Sequence, residues 1–322
     1  MTMARLAELA GVSVSTVSKA FSGSHEISAE KREYIFRLAR ENGCYDKYCK
    51  SIYNKKVIAV ICPEFKGRYY TEQLAVFEKE ISRRGAVMIA AAFDFDLLKQ
   101  HELITFFSEY SKVDGIIVYN MTDNRQKYSL PVISIGADDV NSIKLSTDRA
   151  LDEAVKYLTE QGHKDIVFIG ETNTGEKAEI FKKTAKKYDC NLTEYTSTGG
   201  RRFEEAGYEC MNKMFESGNV PTAVIAAYDY VAIGAMKSIY EHGLRIPEDI
   251  SIIGSDDIKE NPYLNVPLTS ITTYIEDLCQ IAVDMLFESI AAGGTGAVKT
   301  VKVSAELIKR KSVGNIKKEK KL

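Results

Sequence analysis

Apolar positions in the first forty-odd residues recur at helical spacing in three short bursts. Leu6, Leu9 and Ala10 give one face of a first helix, and Gly11 permits a tight turn after it. Val17, Ala20 and Phe21 give a second helix its inward face. Ser13, just ahead of it, is a good N-cap, because its hydroxyl can accept a bond from an orphan N–H one turn on. Ser28 can cap a third helix that carries Tyr34, Ile35, Leu38 and Ala39 inward and stops at Asn42 and Gly43. Val14, Ser15 and Lys19 fall on the other side of the second helix, free to meet a partner. Three short helices with a turn of this length predict a helix-turn-helix, a motif that lays its second helix in a DNA major groove.

The pattern changes at residue 57. Continuous apolar runs of strand length (57–62, 87–92, 115–118, 132–135, 166–170, 222–226, 250–254) alternate with amphipathic helical stretches (72–84, 97–110, 151–161, 177–187, 203–217, 231–242, 276–291). Short apolar strands between helices predict parallel sheets covered on both faces. Two such halves suit a pair of doubly wound lobes with a cleft between them. Ligands in open α/β sheets sit beyond the C-terminal strand ends, so the loops after residues 62, 92, 118, 170, 226 and 254 are expected to face the cleft.

Charge sharpens this division. Residues 1–56 hold ten Lys and Arg against six Asp and Glu, whereas the whole chain is −2. A basic head on an acidic body is what phosphate contact at one end requires. At 322 residues, about two or three domains are expected. No apolar run approaches the roughly 18 residues of a membrane span, and no basic segment precedes an apolar one at the start, so a cytoplasmic protein without a signal peptide is expected. Six scattered cysteines (44, 49, 62, 190, 210, 279), without a Cys-x-x-Cys, and only four histidines argue against a zinc site and for reduced thiols. Cys44 and Cys49 near the end of the head leave room for a redox role. No catalytic residues, metal or cofactor are expected. The stretch 170–178 imitates a phosphate loop, but Glu176 stands where Lys is needed and Ala178 where Ser or Thr is needed. The glycines at 293–296 lack the Gly-Lys pair and precede a strand.

The head segment AELAGVSVSTVSK (7–19) resembles the N-terminal signature of the lactose-repressor/galactose-repressor family of bacterial transcription regulators. Further likeness lies in PEFKGRYY (63–70), GHKDIVFIG (162–170), YDYVAIGA (228–235), LRIPEDISIIGSDD (244–257) and PLTSI (267–271). The resemblance implies an α/β protein with an all-α helix-turn-helix head and a two-lobed, periplasmic-binding-protein-like effector domain. It implies base reading by Val14, Ser15 and Lys19, and phosphate contacts by Ser13, Thr16, Ser18 and Ser28. Chemistry agrees for Lys19, which can donate to guanine O6 and N7, and for Val14, which can pack on a thymine methyl. The resemblance also implies a hinge helix whose apolar residue wedges into the minor groove. Residues CKSI (49–52) match it, with Ile52 as the wedge and Lys50 beside it.

Effector contacts implied by the resemblance fall at Tyr69, Tyr70, Lys177, Tyr228 and Asp256. Tyr228 stands where an Asn is usual, and Lys177 where an Arg is usual, which weakens the expectation of a sugar and leaves open an anionic ligand, an aromatic-stacking ligand, or no ligand at all. Tyr69 and Tyr70 are either ligand-stacking or lobe-packing aromatics. Asp256 is either an acceptor for two hydroxyls or a helix-capping carboxylate. The expected organisation is a DNA-binding head (1–45), a hinge (46–56), an effector-binding and dimerisation body (57–311) and a basic tail (312–322). Lobe 1 takes about 57–145 and 274–292, and lobe 2 about 146–273 and 298–311. The implied function is a sequence-specific regulator, a repressor in output, binding a pseudo-palindromic DNA operator as a homodimer under control of a carbohydrate-like small molecule. Two other classes stay open: a solute-binding protein without a DNA role, and an enzyme with a regulatory DNA-binding head.

Overall fold

The computed structural model describes residues 1–52, 55–111, 113–120, 128–136, 141–218, 220–294 and 299–316, and for residues 50–52 the backbone only. It divides into two compact units, Met1–Val57 with Gly85–Val87, and Ile58–Arg84 with Met88–Leu322.

The head consists of α1 (Met3–Ala10), α2 (Val14–Phe21), α3 (Ala29–Glu41) and α4 (Tyr45–Ile52). Its caps follow the sequence. Ser13 Oγ accepts from Thr16 N–H at 3.1 Å, and Ser28 Oγ accepts from Lys31 N–H at 3.3 Å. Gly11 closes α1 at φ +64°, a left-handed conformation that glycine takes without steric cost. The buried stripe of α1 is Leu6 and Ala7, flanked by partly buried Met3 and Ala10, while Leu9 is exposed. Positions 3, 6, 7 and 10 follow the helical repeat and Leu9 falls off it. On α3, Ile35 and Ala39 are fully buried and Tyr34 is exposed for the same reason.

The head also reaches further than residue 45. Tyr48, expected in the linker, is buried in the head core, its ring edge-on to Phe21 at 5.7 Å. Tyr45 stands edge-on to Phe36 at 5.3 Å. These two tyrosines draw α4 onto the core, so the segment that was expected to be a hinge begins as a packed helix.

The body opens with β1 (Val57–Cys62), α5 (Arg68–Arg83), β2 (Val87–Ala92), α6 (Leu97–Thr105), β3 (Gly115–Tyr119), β4 (Val132–Ile135) and β5 (Ser142–Ser146). Then come α7 (Asp148–Glu160), β6 (Asp165–Glu171), α8 (Gly175–Lys187), β7 (Asn191–Ser197), α9 (Phe203–Glu216), β8 (Ala223–Ala226), α10 (Asp229–Glu241), β9 (Ser251–Ser255) and β10 (Thr269–Thr272). Helix α11 (Ile275–Ala291) and strands β11 (Thr300–Ser304) and β12 (Glu306–Ile308) end it.

The strands form two six-stranded sheets, ordered β11-β5-β4-β3-β1-β2 and β12-β10-β9-β8-β6-β7. Pairing is parallel from β1 through β3, β4 and β5 to β11, and from β7 through β6, β8 and β9 to β10; β12 joins β10 antiparallel. The chain therefore crosses between the sheets after Ser146, after Thr272 and after Ser304. The stretch 300–304, assigned to lobe 2 from sequence, belongs to the first sheet, where Thr300–Ser304 pair with Ser142–Ser146. The two sides of the second sheet are filled separately, one around Phe168 and Phe181, the other around Ile169, Met211, Met214 and Ile252. Among the described residues, no helix is long and apolar enough to cross a membrane.

Candidate DNA-reading helix and interlobe cavity

The outward side of α2 is short and polar. Val14 is 46% exposed, Ser15 is exposed, and Lys19 and Ser18 are half-buried, over a floor of Val17, Ala20 and Phe21 that water does not reach. Ser13 and Thr16 hydroxyls lie 2.9 Å apart at the start of the helix. Lys19 Nζ is ion-paired with Glu26 from the following turn. That pair is exposed, so it is weak and can exchange for another acceptor. The side chains of Lys50 and Ile52 lie outside the described residues.

In the body, a cavity of about 270 Å³ opens between the two sheets. Five of the six expected loops supply a lining residue: Glu64, Phe95, Asn120 beside Tyr119, Tyr228 and Asp256; after β6 it is the first turn of α8, not the loop, that supplies Lys177. Tyr69 and Tyr70 line it too, but from the first turn of α5 and not from a loop. All five residues singled out as effector contacts thus surround one cavity. Gly136 shapes its floor: φ there is +99°, and a Cβ would stand 2.4 Å from Asn120 Oδ1.

Tyr69 donates to or accepts from Thr273 Oγ1 at 3.3 Å, beside the crossing after β10. Tyr70 lies edge-on to Tyr69 and to Tyr119, with centroids 5.3 and 5.4 Å away. The two tyrosines therefore pack the cavity wall and face its space at once. Burial pushes the hydroxyls of Tyr69, Tyr70 and Tyr228 well above the ordinary phenol range, so all three are neutral donors at neutral pH.

Asp256 follows β9 at φ +103°. No α-helix starts there, so the helix-cap alternative does not apply. The buried carboxylate that does organise the region is Asp229 at the head of α10, which accepts from Ile258 N at 2.9 Å, Asn261 Nδ2 at 2.8 Å and Ser270 Oγ at 2.6 Å. Asp256 is left facing the cavity, and burial pushes its carboxyl up to about 6, with Lys177 pulling the other way. Lys177 Nζ donates to Ala227 O at 2.9 Å and lies 4.6 Å from the centre of the Tyr228 ring.

The sequence reading missed Arg202. Its guanidinium forks between the sheets. Nη2 donates to Glu64 Oε1 at 3.1 Å and to Glu171 Oε1 at 3.0 Å, and Nε donates to Glu171 Oε2 at 3.2 Å. Nη1 donates to the other oxygen of Glu64. Glu64 follows β1 in one sheet, and Glu171 ends β6 in the other. Burial alone would lower the Arg202 pKa, but the two carboxylates carry it above its ordinary value. The loop after β7 would have pointed to Arg202 by the same strand-end rule, had β7 been seen. Its sequence, NLTEYTS, has no apolar run because it is an edge strand with half-wet faces.

Comparison with known proteins gives consistent results. Residues 2–44 match the model of bacterial regulatory proteins, lacI family, and residues 155–313 match the periplasmic binding protein-like domain. The chain is 30% identical to the HTH-type transcriptional repressor PurR of Pasteurella multocida, across 97% of this chain and 98% of that protein. It is 26% identical to the HTH-type transcriptional regulator MalR of Clostridium butyricum, across 98% and 100%. Among solved structures, the lac repressor dimer bound to operator and the anti-inducer ONPF superposes with a TM-score of 0.72 at 23% identity, covering 98% of this chain and 99% of that one. A LacI family transcriptional regulator from Enterococcus faecium with bound ribose superposes at 0.70 with 22% identity, covering 81% and 100%.

Proposed function

The chain belongs to the lacI family of bacterial regulatory proteins, and from that premise we propose how its residues divide the work of a DNA-binding transcriptional regulator controlled by a small molecule. The observation that carries the reading is the α2 surface: Val14, Ser15 and Lys19 are presented on a Ser13-capped helix whose other side is sealed by Val17, Ala20 and Phe21. Val14, Ser15 and Lys19 read base edges in the major groove, while Ser13, Thr16, Ser18 and Ser28 hold phosphates. Lys50 and Ile52 serve the minor groove at the operator centre. The protein acts in the cytoplasm as a homodimer, and two-fold symmetry makes its operator a pseudo-palindrome. The output is repression, a reading supported by the PurR repressors among its relatives. The working division is a head (1–45), a hinge (46–56), a body (57–311) and a tail (312–322), with Tyr48 anchoring the start of the hinge to the head.

The effector sits in the interlobe cavity against Tyr69, Tyr70, Lys177, Tyr228 and Asp256. It controls DNA affinity by binding the two lobe arrangements unequally, since a ligand indifferent to them shifts nothing.

Selection of random duplex DNA on the purified protein at two salt concentrations tests the reading. Enrichment of a pseudo-palindrome that survives the higher salt, and is lost with Ile52→Asp, is expected. Binding without enrichment that disappears steeply with salt would reduce the head to a non-specific phosphate binder.

A further inference from the structure

Three cationic side chains line the cavity, and each is already engaged. Arg202 is forked by Glu64 and Glu171. Arg68 is ion-paired with Glu260 and lies 5.4 Å from the centre of the Tyr230 ring. Lys177 donates to a backbone carbonyl and covers Tyr228. Of the carboxylates that answer them, Glu64 and Asp256 line the cavity, while Glu171 and Glu260 hold Arg202 and Arg68 from outside its lining, so both guanidinium groups are paired before a ligand arrives. Among the described residues, no hydrogen bond reaches the carboxylate of Asp256.

The Arg202 fork is built, not incidental. Glu64 and Glu171 side chains are only 6% and 3% exposed. The guanidinium lies 4.6 Å from the Phe203 ring centre and 5.7 Å from that of Phe95. Phe95 and Phe203 both have positive φ, +58° and +55°. That conformation is costly for a bulky residue and persists only where its surroundings demand it. Phe203 N–H also donates to Glu171 Oε2 at 3.3 Å, so the same carboxylate holds the Arg and the strained residue beside it. A planar guanidinium is the natural receptor for phosphate or carboxylate. Here its fork is spent on two internal anions, and an incoming anion would have to displace one of them.

We propose that Glu64 and Glu171 work as an anion filter: by satisfying Arg202 they make the cavity reject phosphorylated and carboxylated ligands. The proposal rests on the cavity being the effector site. It assigns specificity-determining roles to Glu64, Arg202 and Glu171, residues that select the ligand by what they withhold.

Inorganic phosphate is a sufficient probe. Thermal unfolding of the full-length protein is followed by circular dichroism as phosphate replaces chloride at constant ionic strength. The wild type is expected to show no saturable stabilisation. Glu64→Gln with Glu171→Gln removes both charges that neutralise the guanidinium and leaves only weaker amide acceptors, so phosphate affinity should rise at least about tenfold, as expected for charge-assisted bonds newly formed. Adding Arg202→Gln to that pair should abolish the gain. Saturable phosphate binding by the wild type that Arg202→Gln removes would overturn the proposal, as would a folded double variant with no gain. If the double variant does not fold, Glu64→Gln alone, which leaves Glu171 holding Arg202, is expected to give a smaller gain, and its absence counts against the filter. A phosphorylated sugar that stabilises the wild type more than its parent sugar would overturn it too. No arm uses DNA, so failure here leaves the operator reading intact, and a failed operator selection leaves the phosphate result standing.

Discussion

The α2 surface and the interlobe cavity are both candidate binding sites, yet they are built in opposite ways. The first draws its contact residues from a single eight-residue helix, Val14–Phe21. The second gathers side chains from strand ends and helix starts in two sheets, between Glu64 and Thr273. A site on one helix depends on a small core beneath it. A site gathered from distant loops depends on how closely two layers of helices and strands are held. Damage should therefore register differently in the two, in separate units of the chain.

The largest effect is expected at Phe21. Its ring is 4% exposed and meets Phe36, Tyr45 and Tyr48 with centroids 5.0, 5.9 and 5.7 Å away. Phe21→Ala should cost about 3–5 kcal/mol, comparable with everything that so small a unit can muster. Operator binding should be lost and the head's own thermal transition should vanish, while the body's melting temperature stays in place by calorimetry. A matching fall in the body's transition would show that the two units fold as one.

A smaller and complementary effect is expected in the body. Helices α9 and α10 approach so closely that a Cβ on Gly234 would lie 1.9 Å from Glu204 O, and one on Gly207 would lie 1.9 Å from Val231 O. Backbone cannot yield as a flexible side chain would, so Gly234→Ala must part the helices. Overpacking of this kind costs about 1–3 kcal/mol. The body's transition should fall by calorimetry and the head's should not. Insensitivity to Gly234→Ala would mean that the two helices slide apart without loss.

The same contrast explains what could be read in advance. The head's candidate contact residues are adjacent, with helical period and with Ser13 and Ser28 as caps, so sequence order and spatial order nearly coincide. Only details of facing went astray, as at Leu9, along with the packed start of α4, which depends on Tyr45 and Tyr48 finding Phe21 and Phe36. In the body, apolar runs revealed the central strands, and the strand-end rule then located five cavity loops and the helix start that carries Lys177. It failed where the strand was not apolar. The half-wet edge strand β7 hid the loop that carries Arg202, and β11 reveals its sheet only through its partner β5. Asp256 and Asp229 could not be told apart by residue type; burial and three donors give Asp229 the structural task.

The smallest effect sharpens the comparison most, because it separates the sites by pH. Asp256 titrates at about 6 in the folded chain, raised by burial and partly offset by Lys177. An unfolded aspartate titrates at the ordinary 3.8. Between those values the folded state holds a proton that the unfolded state has released. This contribution to stability is therefore full below about pH 4, declines as pH rises through 6, and is constant above. Asp229 faces Asp256 and is itself pushed up to about 8, by burial first and then by Asp256, so it extends the decline to higher pH. Asp256→Asn removes the lower step. The body's melting temperature, wild type minus variant, should fall between pH 4 and 6, whereas Lys19→Ala in the head should leave the body's profile unchanged. A flat difference across that interval would mean that Asp256 is as well hydrated as a surface carboxylate, and a cavity that wet would not exclude phosphate.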